Sequence, residues 1–206
     1  MARPQPQGDP TASKSERTRE RIVDAAAQVL TRRGYAGTRL SDIADVAQVQ
    51  APAIYYYFAS RDELIEEAVA VGLGRARALV TEALADAPAD ASPLDRIDVA
   101  VHAHLQTLLT HSAHAAAAIR TVPQLPEEIR ARQREAQGSY VAIWRDLIAD
   151  ARDAGALDPV IDVRAVLMVI VGALNWTVEW WDPERGSLED LTRTAQRLVR
   201  SGLAAG

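Results

Sequence analysis

Cysteine is absent from the 206 residues. Its absence removes a disulfide scaffold, a thiolate metal site and a cysteine nucleophile together. Aromatic residues are scarce, at 5%. A β-sandwich draws on aromatic and β-branched side chains, so this alanine-rich chain reads as close-packed helices. Lysine occurs once, at Lys14; the other 22 basic residues are arginine. The most apolar uncharged stretch, 165–178, has 14 residues, short of the roughly 20 that a membrane span takes. The opening MARPQPQGDP has no apolar segment of the secretory kind. There is no glycine-rich phosphate loop, no G-x-S-x-G and no H-E-x-x-H, so several common enzyme chemistries have no motif here. What is present is 48% apolar residues, enough to bury a sizeable core. The expectation is an all-α, soluble, cytoplasmic protein with no membrane contact, no metal and no cofactor.

The formal net charge of −5 is unevenly placed. Residues 1–61 hold nine basic against six acidic residues, a net of +3, and the remainder carries −8. A basic head on an acidic body places any contact with a polyanion at the head.

Residues 1–14 are rich in Pro, Gln, Gly and Ser and predict a disordered tail. Helical periodicity begins at Ser15, with Ile22, Ala25, Ala26, Val29 and Leu30 on one stripe. Gly34 suits a C-terminal cap, ending that helix at Arg33. Thr38 or Ser41 can cap a second helix running to Ala47. Gln48-Val49-Gln50 reads as a turn, and Pro52 to Phe58 as a third helix opened by proline. Ser60 caps a long fourth helix, from Arg61 to about Asp86. Further helices are predicted at 93–110, 113–120, 127–154, 162–181 and 188–203, with Gly155, Pro159 and Pro183 as breaks. The total is about nine helices, with no strand and no repeat. The predicted organisation is a tail at 1–14, a three-helix head at 15–60 and a helical body at 61–206. Acidic Glu127-Glu128 suits the first turn of its helix rather than a catalytic pair.

Two short helices three residues apart, with Ile43, Ala44, Ala47, Val49, Ile54 and Phe58 facing each other, make a helix-turn-helix. Its core needs Ile22, Val29 and Leu30 before it and Leu64 and Ile65 after it. The run Gly37-Thr38, Asp42-Ile43-Ala44, Ala47, Val49, Ile54-Tyr55, Phe58, Ser60 and Glu63-Leu64 resembles the DNA-binding domain of the TetR family of bacterial repressors. The preceding Ile22, Ala25-Ala26, Leu30 and Gly34-Tyr35 fit as well. The resemblance covers about residues 15–66. It implies a dimeric repressor on double-stranded DNA, with a C-terminal domain that takes a small effector. The chain departs from the family pattern at Gln48, where a small turn glycine is usual, and at Ala51-Pro52-Ala53. DNA-contact candidates are Gln50 for adenine edges, Ala51 and Ala53 for thymine methyls, and Thr38, Arg39 and Arg61 for phosphates. By family position Tyr56 and Tyr57 face the DNA, and Tyr55 is partly core.

The helix at 162–181 is apolar all round, so it predicts cover on every side, one side by a second copy of the chain. By the resemblance, it pairs with the last helix in a dimer bundle. Gly172-Ala173-Leu174-Asn175-Trp176-Thr177, then Trp180-Trp181, Pro183 and Gly186, is similar to family members that regulate fatty-acid and steroid catabolism, some of which take acyl-CoA thioesters. Candidate effector residues are Leu105, Leu109, Tyr140, Trp144, Asn175, Trp176 and Glu179, with Arg120 for an acidic group. Plain core packing is the alternative for the apolar and aromatic ones, and a neutral hydrophobic compound is the alternative effector. His102, His104, His111 and His114 raise a metal site, but only His111 and His114 have helical spacing, at an expected helix boundary. A helical dimer without operator affinity remains as a further reading, because the third helix carries few polar groups.

Overall fold

Side-chain caps start five of the helices. The computed structural model describes residues 13–111 and 113–204. The hydroxyls of Ser13, Ser60, Ser92 and Ser187 each accept from the backbone N–H three residues on, and Asp162 caps in the same way. Each cap satisfies a donor that the first turn leaves free.

In the head, α1 runs Lys14–Gly37 and breaks at Gly34, whose φ of 66° leaves the helical region. The expected end at Arg33 therefore holds for the regular helix. Its start is earlier than expected, because Ser13 and Glu16 form a reciprocal capping box, with Ser13 N–H donating to Glu16 over 2.6 Å. Residues 1–12 of the expected tail lie outside the described residues. Helix α2 is Leu40–Ala47 and α3 is Ala51–Ile54. Arg39, not Thr38 or Ser41, holds the cap position of α2, with no side-chain cap bond. Thr38 is buried and donates its hydroxyl to the Gly34 carbonyl over 2.7 Å. The third helix is shorter than the expected 52–58. After Ile54 the chain continues as a turn, with Tyr56 N–H on Ala53 and Tyr57 N–H on Ile54.

The body comprises α4 (Arg61–Ala85), α5 (Pro93–Gln106), α6 (Ala113–Thr121), α7 (Glu127–Asp153), α8 (Val163–Trp180) and α9 (Leu188–Leu203). A π-helical turn, Thr107–His111, joins α5 to α6, and a 3-10 turn, Val122–Gln124, follows α6. The only extended pairing among the described residues is an isolated bridge between Leu157 and Ala204.

Two hydrophobic cores result. The first holds Ile22, Val29, Leu30, Ile43, Ala47, Ile54, Phe58, Leu64 and Ile65, as the sequence predicts, but also Ala117, Ala118, Leu125 and Ile129. Those last residues come from α6, α7 and the segment between them, so the body seals the head. Gly72 of α4 explains the close fit: a Cβ there would lie 2.2 Å from the His114 carbonyl oxygen. The second core lies among α4, α5, α7, α8 and α9, around Ile97, Leu105, Trp144, Ile148, Leu167 and Leu174.

Helix α8 has the length and mean hydropathy, 1.3, of a membrane span, although only 28% of its residues are buried. Leu167, Ile170, Leu174 and Val178 face the second core. The opposite face is not covered within the chain, and one such side is expected from the sequence to meet a second copy: Met168, Val169, Trp176 and Trp180 are exposed.

Candidate DNA interface and effector site

The turn between α2 and α3 sets the direction of the reading face. Gln48 is the one non-glycine residue at positive φ among those described, at φ 54° and ψ 47°. Its N–H closes α2 on the Ala44 and Asp45 carbonyls. This is the position where the sequence departs from the usual glycine, and the left-handed conformation is kept at a steric cost. Ile54 and Phe58 anchor α3 and its turn, each 1% exposed. Between them Tyr55 and Tyr56 stand out, at 60% and 81% exposure. Tyr57 is half-buried against the first core. The order expected from sequence is thus reversed for two tyrosines: Tyr55 is the outward one and Tyr57 the partly buried one. The cause is the change from helix to turn after Ile54. Gln50 is exposed, and Ala51 and Ala53 are half-buried.

The phosphate candidates divide. Arg39 is exposed beside α2. Arg61 lies over the Tyr35 ring, 4.5 Å from its centroid. It donates to the Thr38 and Tyr35 carbonyls and to Asp62. With Thr38 buried, these two residues hold the α1–α2 corner against the start of α4, and the structure does not present either as a free phosphate donor.

Arg120 and Glu179, both effector candidates, pair with each other at 2.8 Å. Arg120 also donates to the Thr31 carbonyl of α1 and the Val178 carbonyl of α8. Gln124 continues this seam, accepting from Tyr35 N–H and donating to the Arg120 carbonyl. His114 of α6 meets Asp24 of α1 at 2.5 Å, and Arg75 of α4 stands 3.6 Å from the same carboxylate. Burial works against the Asp24 carboxylate, yet His114 and Arg75 hold its pKa below the usual range. Helix α6 therefore joins head to body as directly as α4 does. The sequence carried no signal for this seam, because its partners lie about 90 residues apart.

The remaining effector candidates separate by burial. Leu105, Tyr140 and Trp144 are buried in the second core and Leu109 is half-buried there. Trp176 is not with them: at 64% exposure it lies on the uncovered face of α8. Asn175 points the other way, its Oδ1 buried without a partner. The sequence reading missed the centre of this group, His104, which is 2% exposed. His104 hydrogen-bonds through Nδ1 to the Tyr140 hydroxyl. The two rings stack at 5.8 Å, and Trp144 meets His104 edge-on at 5.7 Å. Burial lowers the His104 pKa to about 4 and pushes the Tyr140 phenol up. The available signal was a histidine one residue before Leu105 on an apolar helix. As for a metal, His102 is exposed, His104 and His114 are engaged as above, and the His111 side chain lies outside the described residues. Among the described residues no three candidate ligands stand together.

Residues 22–68 match the model of the "Bacterial regulatory proteins, tetR family". Residues 90–203 match that of the "Tetracyclin repressor-like, C-terminal domain". The fatty acid metabolism regulator protein of Bacillus subtilis is 23% identical over 184 residues, 88% of this chain and 93% of that protein. The HTH-type transcriptional repressor KstR2 of Mycolicibacterium smegmatis is 25% identical, with 84% and 83% covered. Among solved structures, AibR in complex with isovaleryl coenzyme A and operator DNA superposes with a TM-score of 0.78 at 20% identity, over 88% of this chain and 97% of that one. A helix-turn-helix head with an outward tyrosine pair, a six-helix body and matches to both family domains lead to one conclusion: the chain belongs to the TetR family of bacterial transcriptional regulators.

Proposed function

We propose that this regulator represses from a near-palindromic operator in the cytoplasm and leaves it when an apolar effector, carried as a coenzyme A thioester, enters the body. The observation that carries the reading is the pair of exposed tyrosines, Tyr55 and Tyr56, held out between the fully buried anchors Ile54 and Phe58. Large side chains are exposed on a fixed base where a DNA groove can receive them. Gln50 and the two tyrosines read bases, Ala51 and Ala53 lie near enough for methyl contact, and Arg39 takes phosphate. Arg61 and Thr38 act indirectly, by fixing the angle of the head.

Two heads need a two-fold axis. The exposed stripe Met168, Val169, Trp176 and Trp180 on α8, with Leu198 on α9, is the apolar face that supplies it. Trp176 thereby moves from the effector list to the dimer interface. The effector lies instead among Leu105, Leu109, Tyr140, Trp144 and Asn175. The thioester class is supported by the relatives: one is named for fatty acid metabolism, and one solved neighbour holds isovaleryl coenzyme A.

The test is fluorescence anisotropy with DNA from upstream of the protein's own gene. Full-length protein should bind with a steep salt dependence. Acyl-CoA esters should release it, while free coenzyme A and neutral hydrocarbons of equal size should not. Release by the hydrocarbons alone would replace the thioester with a neutral effector. A complete absence of specific binding would leave a helical dimer without operator affinity.

A further inference from the structure

Hydrogen-bonding groups inside an apolar core are almost always paired, since an unpaired one costs the desolvation of the group. The second core holds three exceptions in one cluster centred on His104. They are Nε2 of His104, Nε1 of Trp144 and Oδ1 of Asn175, each buried and none within hydrogen-bond distance of a partner, although Asn175 stands beside His104 and Trp144 beside the Tyr140 hydroxyl in looser contact. His104 and Trp144 are 2% and 0% exposed. The rings of Tyr140 and Trp144 both pack on His104, and Asn175 stands within reach of it from α8. Three helices, α5, α7 and α8, thus each bring polar atoms to one place inside an otherwise aliphatic wall.

We infer that this cluster is the recognition point for an uncharged oxygen, a hydroxyl or a ketone, at the buried end of an otherwise apolar effector. The inference rests on reading the body as an effector site and names the chemistry of that site. The donor count supports it. Trp144 Nε1 only donates. With the Tyr140 hydroxyl donating to His104 Nδ1, the neutral imidazole carries its proton on Nε2, a second donor. Asn175 Oδ1 accepts. An alcohol oxygen answers all three, a ketone answers the two donors, and a methylene answers none.

A charged group does not fit here. No ionised side chain acts on His104 or on Tyr140; His104 feels burial and Asn175, and Tyr140 feels burial and Trp144. A carboxylate or phosphate placed against this wall would be an uncompensated buried anion. The thioester and the coenzyme therefore lie away from the cluster, and the oxygen is at the opposite end of the ligand. Thr107, three residues after His104 in the π-helical turn, is not available as a donor, because its hydroxyl donates to the Ala103 carbonyl over 2.7 Å. The π-helical turn Thr107–His111 begins three residues after His104. Such turns recur at functional sites, and here it interrupts the helix beside the cluster.

The experiment compares matched coenzyme A thioesters, saturated, terminally hydroxylated and terminally oxidised to the ketone, over a series of chain lengths. Binding to the full-length protein is measured by thermal shift, and release is measured on operator-bound protein. At the best chain length the hydroxylated ester should act at roughly one-tenth the concentration of the saturated one, the ratio expected for one well-made buried hydrogen bond. The ketone should fall between them. In Trp144→Phe the ratio should collapse toward one; Asn175→Leu gives the same readout should Trp144→Phe not fold. Equal action of all three esters would reduce the cluster to a water site and overturn the inference, with the thioester-effector reading intact. Binding with the expected ratio but no release would overturn that reading and leave the subsite. If no ester binds, the same comparison is made with a free long-chain alcohol, ketone and alkane. Failure of these as well overturns both.

Discussion

The two cores of this molecule are built on different rules. Among the described residues of the head, no buried polar side-chain atom lacks a partner; Thr38, for example, donates to Gly34. All the unpartnered buried polar atoms among the described residues belong to positions 98 and beyond. A head that must hold a reading face at a fixed angle tolerates no polar exceptions, since each costs stability and adds alternatives. A body that receives a ligand keeps hydrogen-bonding capacity free inside apolar walls. The contrast shows that the packing rules which make a fold legible are relaxed where a ligand belongs.

The seam between the regions gives the largest expected effect. Gly72→Ala sets a methyl group against the His114 backbone and should destabilise the protein by about 3 kcal/mol in chemical denaturation. A loss under half a kilocalorie, roughly, would mean that α4 and α6 are not tightly joined. The body core comes next. His104 stays neutral in the folded protein down to about pH 4, against about 6.5 for a solvated imidazole. Between those values the unfolded chain binds more protons, so stability falls as the pH drops through that window and is flat in this group above it. From pH 7 to pH 5 the loss attributable to His104 should be about 2 kcal/mol, and His104→Asn should remove it. An unchanged slope in the variant would show that His104 titrates normally.

Two changes in the head sharpen the comparison from the other side. Tyr56→Ala, at a position 81% exposed, should leave the melting temperature nearly unchanged. It should weaken operator binding by about 2 kcal/mol while sparing non-specific DNA. Equal weakening on both DNAs would make Tyr56 a backbone contact. The smallest effect is a gain: Gln48→Gly removes the strain of a left-handed glutamine and should stabilise by about 1 kcal/mol. A loss there would indicate that the glutamine side chain contributes something glycine cannot replace.

The fold was legible where short-range rules act. Helix starts at Ser60 and Asp162, the break at Gly34 and the apolar stripe of α1 follow from local chemistry, and the structure has them in place. The third helix was read too long because Tyr55 to Phe58 continue its periodicity, whereas the chain tightens into a turn there. Burial within the helix-turn-helix was read correctly for Ile54 and Phe58 and wrongly for Tyr55 and Tyr57, since a turn rotates side chains off the helical wheel. Arg61 and Arg120 both looked like free cations. Their bonds to the Thr38, Tyr35, Thr31 and Val178 carbonyls depend on tertiary packing that no local pattern encodes. The same holds for Trp176: an all-round apolar helix does not tell which face meets its own core and which meets a second copy. His104 was weighed only as a metal ligand, together with His102, His111 and His114, and its surroundings emerge only beside Tyr140, Trp144 and Asn175.

Release of the operator by an effector in the body requires that filling the body moves the heads, and α4 and the α6 seam at Asp24, His114 and Arg120 are the connections that can carry it. The absence of cysteine allows a direct measurement. Gln28→Cys, exposed on α1, introduces one spin-label site per protomer, and electron–electron double resonance then reads the distance between the two heads of the dimer. Bound to operator, the distance should be narrow and single, because the reading helices must match half-sites about 34–36 Å apart or a multiple of that. A thioester that releases the operator should shift this distance by several ångströms or broaden it. Release with the head-to-head distance unchanged would contradict the account.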